Sequence, residues 1–375
     1  MMKIMTPGPT QVRENVRLAR SLEMSNPDLD LAFFTFYKET CDIIASILHT
    51  DNPVYLLSGE GILGLEAACA SLTEPGDKVL VLDNGIFGKG FADFVQLYGG
   101  EAVVYTTNYR REIDVAALKN FLAENHDFKY ATLVHCDTPT GVKNSLEEIC
   151  PLLKQYGILT VVDAVSSMFG TEIDVSKAQI DILCGGSQKA LSAPPGLTML
   201  CVSPEALKAM EERKVPIAAF YANILAYRDY DKNKWFPYTM PASDIYGLRA
   251  ALDNVVQDKH IYERHQIIAA ATREAVQQAG LKLYLASGYC ETVTVLEMPA
   301  GVDSSAVLAY LVEHDQIMLG DGLDFLKGKV IRLGHMGENA NQEDMELALR
   351  ALTKALAVHG VSLKCDLGQA FRENL

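Results

Sequence analysis

From about residue 50 to 205, short apolar runs alternate with amphipathic stretches. The runs are Val54–Leu57, Val79–Leu82, Ala102–Tyr105, Ala131–His135, Leu159–Asp163, Ile180–Cys184 and Leu197–Val202. They are rich in β-branched residues and do not alternate apolar with polar, which predicts strands buried on both faces and a mostly parallel sheet. Val115–Glu124 and Leu146–Tyr156 lie between them and predict helices. A long helical pattern follows from about Ser243 to Ala279, broken or bent near Asp258. After Gly280 comes a smaller set, with strands at Thr292–Glu297 and Val330–Leu333 and helices at Ser304–Glu313 and Gln342–Ala357. The pattern predicts an α/β fold built on one large sheet, followed by a compact α+β unit.

Length and charge narrow the function. A chain of 375 residues exceeds one ordinary domain. Its 33 basic and 48 acidic residues leave a formal charge of −15, which repels phosphate backbones and anionic headgroups. Nucleic acid and membranes are therefore not expected partners. No apolar run approaches the roughly 20 residues a bilayer span needs, and the N-terminus lacks a signal-peptide core. A cytoplasmic, reducing location is expected. The eight cysteines are scattered without a C-x-x-C pair, so no metal site is expected.

Two stretches carry candidate chemistry. After the first strand, Ser58-Gly-Glu-Gly-Ile-Leu-Gly64 runs into the helical pattern Leu65–Leu72. Gly59, Gly61 and Gly64 satisfy G-x-G-x-x-G, and Asp83 ends the next strand where a dinucleotide fold places its ribose acid. The physics is less specific: backbone N–H groups at a helix N-terminus suit any phosphate, and a tight turn without ligand also fits. Farther on, Leu183-Cys-Gly-Gly-Ser-Gln-Lys189 sets a lysine among small residues after a strand. An enclosed lysine amine loses its charge more easily and can form a Schiff base with an aldehyde. Asp163 ends the strand before it, where a carboxylate can pair with a protonated pyridine nitrogen. Singly, these are a surface lysine and a helix cap. Together they order a phosphate cup, a pyridine partner and a Schiff-base lysine on one sheet.

These motifs resemble those of class V, fold-type I pyridoxal-phosphate aminotransferases of the alanine–glyoxylate/serine–pyruvate branch. The resemblance runs nearly end to end. It includes Thr6-Pro-Gly-Pro9, Ser58-Gly-Glu-Gly61, Asn84-Gly-Ile-Phe-Gly88, Thr140-Gly-Val142, Asp163-Ala-Val-Ser-Ser167, Gly186-Ser-Gln-Lys189 and Arg332-Leu-Gly-His-Met-Gly337. It implies a large cofactor-binding domain over 15–260, with a mostly parallel seven-stranded sheet, and a small α+β domain from 1–14 and 261–375.

The resemblance also implies roles. Lys189 forms the Schiff base and moves the substrate proton, while Asp163 holds the pyridine nitrogen protonated. Phe87 covers the ring, Thr138 and Val165 contact the cofactor, and Gly61, Ile62 and Gln188 hold its phosphate. Thr239 enters from the second subunit, implying a homodimer with a shared site. Arg332 binds the substrate carboxylate through its planar fork. The function implied is a ping-pong transaminase moving an amino group from alanine or serine to glyoxylate or pyruvate, with pyridoxal 5′-phosphate as cofactor. A 2-aminoethylphosphonate–pyruvate-type aminotransferase is the alternative within the fold. An NAD-dependent dehydrogenase is the alternative outside it, resting on the three glycines and Asp83.

Two positions depart from the family's pattern. Glu60 stands where relatives often carry a small hydroxyl residue, and a carboxylate beside a phosphate dianion would repel it. Its side chain is expected to turn away, leaving only its backbone to serve the loop. Glu23-Met-Ser-Asn-Pro-Asp28 replaces a histidine-containing segment near the substrate entrance.

Overall fold

The computed structural model describes residues 2–375. Helix Leu31–Ile47 (α1), capped by the Asp30 carboxylate on Ala32 N–H, precedes the sheet and was not among the expected elements. Strands Val54–Ser58 (β1), Lys78–Asp83 (β2), Glu101–Thr106 (β3), Tyr130–Val134 (β4), Leu159–Asp163 (β5), Ile182–Gly186 (β6) and Leu197–Val202 (β7) form one seven-stranded sheet. Their order is β1-β7-β6-β5-β4-β2-β3. All pairings are parallel except those of β7, which runs against both β6 and β1. The buried, unalternating strand interiors are what a sheet covered on both faces requires. β6 starts two residues later than its apolar run. Gln179 adopts a left-handed conformation, and the Asp181 carboxylate ties that turn to the backbone N–H of Thr160.

Helices Gly61–Leu72 (α2), Ile86–Leu97 (α3), Val115–Glu124 (α4) and Leu146–Gln155 (α5) connect the strands. The long helical stretch is two helices, Ala242–Gln257 (α6) and Ile261–Gln278 (α7), parted at 258–260 as the pattern suggested. A second hydrophobic core lies under α7 and Gln342–Val358 (α9). It packs against an antiparallel sheet of Lys282–Leu283 (β8), Val293–Glu297 (β9), Gly320–Asp321 (β10) and Val330–Gly334 (β11), ordered β8-β9-β11-β10. Helix Ser304–Tyr310 (α8) is shorter than expected because a π-helical turn over Leu311–Asp315 replaces its end. No helix among the described residues is long and apolar enough to cross a membrane.

Two consequences position the site. The C-terminal ends of β1, β2, β4, β5 and β6 share one edge, so the loops that follow them converge there. Lys3–Ile4 pairs in parallel with Ile317–Met318, which anchors Met5 in the second core. Residues 6–10 are thereby directed onto the loop after β6, where Thr10 donates to the carbonyl of Lys189.

Candidate active site

A cavity of about 210 Å³ opens at that edge. Glu60, Gly61, Ile62, Phe87, Thr138, Asp163, Val165, Gln188 and Lys189 all line it, so nine of the eleven positions that the family resemblance assigned to the cofactor and substrate site meet in one place. Arg332 and Thr239 do not line it. Arg332 stands on β11 with its Nε held 2.6 Å from the Asp321 carbonyl, near enough for its charge to act on Lys189. Thr239 is exposed, and its hydroxyl donates to Asp28 at 2.7 Å.

Lys189 follows β6 by three residues, and its amine donates to the Pro7 carbonyl at 2.7 Å. Burial, reinforced by the Arg332 guanidinium, lowers its pKa to about 8. A neutral amine is thus accessible near neutrality. The residues that hold it were missed by the sequence reading, which matched Thr6-Pro-Gly-Pro9 without giving it a task. Gly8 has φ +90°, and a Cβ there would collide with the Lys189 side chain. Only glycine lets the chain lie this close.

Asp163 ends β5 and is buried. Among the described residues it forms no ion pair, and its carboxylate accepts one hydrogen bond, from Val165 N–H at 2.8 Å. Burial therefore raises its pKa to about 7. Such a carboxylate is short of a cation, which a protonated pyridine nitrogen would supply.

Phe87, in the first turn of α3, owes its position to Asp137, a second residue the sequence reading passed over. The Asp137 carboxylate accepts from Phe87 N–H at 2.9 Å and from the Thr140 hydroxyl at 2.7 Å. Gly85 makes room for it, since a Cβ there would strike the carboxylate. The signal was an Asp before Thr-Pro-Thr-Gly, a turn-forming pattern whose cap reaches another loop.

The glycine loop is built for packing. A Cβ on Gly61 would lie 2.7 Å from Val165, and one on Gly64 would collide with the Thr198 hydroxyl across the sheet. Asp83, the supposed ribose acid, is buried and takes the hydroxyls of Thr106 and Tyr109. The dinucleotide reading loses its acid to this internal network.

Glu60 corrects a second expectation. Its side chain does not turn away. It caps α2, accepting from Ile62 N–H at 3.1 Å through Oε1 and from Gln188 Nε2 at 2.9 Å through Oε2. Those are two of the donors expected to hold a phosphate. The ring half of pyridoxal phosphate would find a Schiff-base amine in Lys189 and a carboxylate partner in Asp163. The phosphate half meets a carboxylate already seated on its donors, and with Glu60 so placed it does not fit.

A buried lysine and carboxylate at the carboxyl edge of such a sheet suit a pyridine ring bearing an aldehyde, and comparison with known proteins gives the family. Residues 19–346 match the family described as aminotransferase class-V. The chain is 33% identical to the pyridoxamine–pyruvate transaminase of Mesorhizobium japonicum over 346 residues, covering 91% of this chain and 88% of that one. It is 31% identical to the alanine–glyoxylate aminotransferase of Callithrix jacchus over 366 residues, covering 94% and 87%. The crystal structure of pyridoxamine–pyruvate aminotransferase from Mesorhizobium loti superposes with a TM-score of 0.94 at 31% identity, covering 99% of this chain and 96% of that one. The chain belongs to the class-V aminotransferase family, whose members are pyridoxal-phosphate-dependent in general.

Proposed function

We propose that this enzyme carries an amino group from a small amine donor to a small 2-oxo acid, glyoxylate or pyruvate, in two ping-pong half-reactions at a pyridoxal ring held by Lys189 and Asp163. Alanine and serine are the amino-acid donors this reading names. When bound, the pyridoxal ring supplies an aldehyde that takes up the amine and an electron-poor pyridine that stabilises charge on the neighbouring carbon.

The chain's own residues divide the remaining work. Lys189 offers a neutral amine, first to hold the ring and then as the base that moves a proton between substrate and ring carbons. Asp163 keeps a proton on the pyridine nitrogen. Phe87 and Val165 line the cavity as apolar surfaces that position the ring and exclude water. Arg332 is the carboxylate clamp, on β11 beside the segment that covers Lys189.

The division into a large domain over 15–260 and a small one from 1–14 and 261–375 belongs to this proposal, with the cleft between them admitting substrate. So does a cytoplasmic homodimer. Exposed Leu18, Leu29, Leu31, Phe220 and Trp235 support it, since such side chains call for a partner surface. Thr239 is exposed and does not line its own chain's cavity, and in this proposal it serves a second subunit's site.

The single observation carrying this reading is the pair of Lys189 and Asp163 in one cavity, one depressed toward neutrality and the other raised to it. The test is formation of alanine from pyruvate, or glycine from glyoxylate, with each amine donor in turn. Wild-type protein should form product, and Lys189→Ala should not. Turnover by Lys189→Ala at the wild-type rate would overturn the assignment.

A further inference from the structure

Glu60 is the feature that the function above does not absorb. Its carboxylate occupies Ile62 N–H and Gln188 Nε2 at the mouth of α2. Lys189 is the one cation among the residues lining the cavity, and it is bonded to Pro7. A phosphate dianion here would meet a second negative charge and find those donors already taken. The unpaired polar atoms of this region have a different character. Gln188 Oε1, an acceptor only, is buried without a partner although Gln188 is itself 7% exposed. The hydroxyls of Ser58, two residues before Glu60, and of Ser166, in the cavity wall, are also buried and unpartnered. Carboxylate oxygens and an amide oxygen accept hydrogen bonds; a hydroxyl donates one, and a phosphate dianion does not.

We propose that Glu60 stands in for the cofactor phosphate, so that this site takes the unphosphorylated pyridine, with its hydroxymethyl group at the Glu60–Gln188 end, as a substrate that enters and leaves. The inference rests on the ring reading of Lys189 and Asp163 and departs from the family's pattern only at the phosphate end. A ring without its phosphate anchor loses the charge-assisted bonds that keep a cofactor resident. The reaction then becomes pyridoxamine plus a 2-oxo acid giving pyridoxal plus an amino acid. The bond from nitrogen to the ring methylene carbon breaks, and one from nitrogen to the 2-carbon of the oxo acid forms. Oxygen passes the opposite way by exchange with water. The ring carbon loses the two electrons that the 2-carbon gains, and Lys189 carries the proton between them.

The experiment is equilibrium titration of the dialysed full-length protein with pyridoxal and, separately, with pyridoxal 5′-phosphate, read by near-visible absorbance. The wild type should bind pyridoxal at least about tenfold more tightly than the phosphate ester. Glu60→Thr, which removes the charge and frees both donors, should reverse that preference, and Glu60→Gln, which keeps the shape, should narrow it. Tighter binding of the phosphate ester by the wild type would overturn the inference while leaving the ring site standing. An unchanged ratio in Glu60→Thr would do the same. Binding of neither compound would overturn the ring site and this inference with it.

Discussion

At the scale of single residues, the site is set by what burial does to two groups. The Asp163 carboxyl sits near 7 against an ordinary value of 3.8 because burial strips its charged form of water. Between about pH 4 and 7 the native state therefore binds more protons than the unfolded chain, and stability falls as pH rises through that window. Asp163→Asn should remove the penalty, stabilising the ligand-free protein at pH 8 by up to about 4 kcal/mol while leaving it unchanged near pH 3. Urea unfolding at both pH values checks this, and equal effects at the two would refute it. Lys189 behaves oppositely. Its depressed pKa means that the reactive neutral amine fills as pH passes through about 8, some way below an exposed lysine. The rate of Schiff-base formation with pyridoxal should rise with a midpoint there, and Arg332→Ala should shift the midpoint upward. A midpoint near 10 in the wild type would show that the amine is solvated.

At the scale of elements, the loops after the strands do the positioning, and their demands were only partly legible in sequence. Strands β1, β2 and β4 to β7 were readable because burial on both faces forces unbroken apolar runs, while edge strand β3, which is not buried, was readable from its β-branched residues. Helix α1 was passed over although its buried Phe33, Phe34, Tyr37, Cys41 and Ile44 recur at helical spacing. What the chain's local pattern does not show is their partners, Phe236 and Tyr230, far along the sequence. Lys189 and Asp163 could be picked out because, with the glycine loop, they fall in one order at strand ends of one sheet. Asp137 and the Thr6–Pro9 segment could not, since their work is a contact across 50 to 182 residues of chain. Gly8→Ala should force the segment off Lys189, costing roughly 1–3 kcal/mol for the left-handed backbone alone. Thermal unfolding would report that loss, and a shift of the amine's pH midpoint would report the displaced carbonyl. An unaltered midpoint would mean that Pro7 does not hold the amine.

At the scale of the whole molecule, two sheets with separate cores bring distant parts of the chain to one cavity. The large sheet supplies Asp163 and Lys189 at its carboxyl edge. The small one supplies Arg332, and a separate pairing of Lys3–Ile4 with Ile317–Met318 leads into the strap that lies on the lysine. On the proposed reading the working unit is a homodimer, and exposed Leu29, Leu31 and Trp235 are residues its interface would cover. Sedimentation should give a dimer at micromolar concentration, and Leu29→Asp with Leu31→Asp should shift it toward monomer with loss of ring binding. A wild-type monomer that binds the ring would remove Thr239 from the account.

The measurement that reaches the centre of the account is the near-visible spectrum of the protein with pyridoxal added, followed through an amine donor and then pyruvate. Wild-type protein should develop a Schiff-base band, lose it with the donor and regain it with pyruvate, and Lys189→Ala should show no such cycle. A full cycle in Lys189→Ala, or no band in the wild type at pH 8, would contradict it.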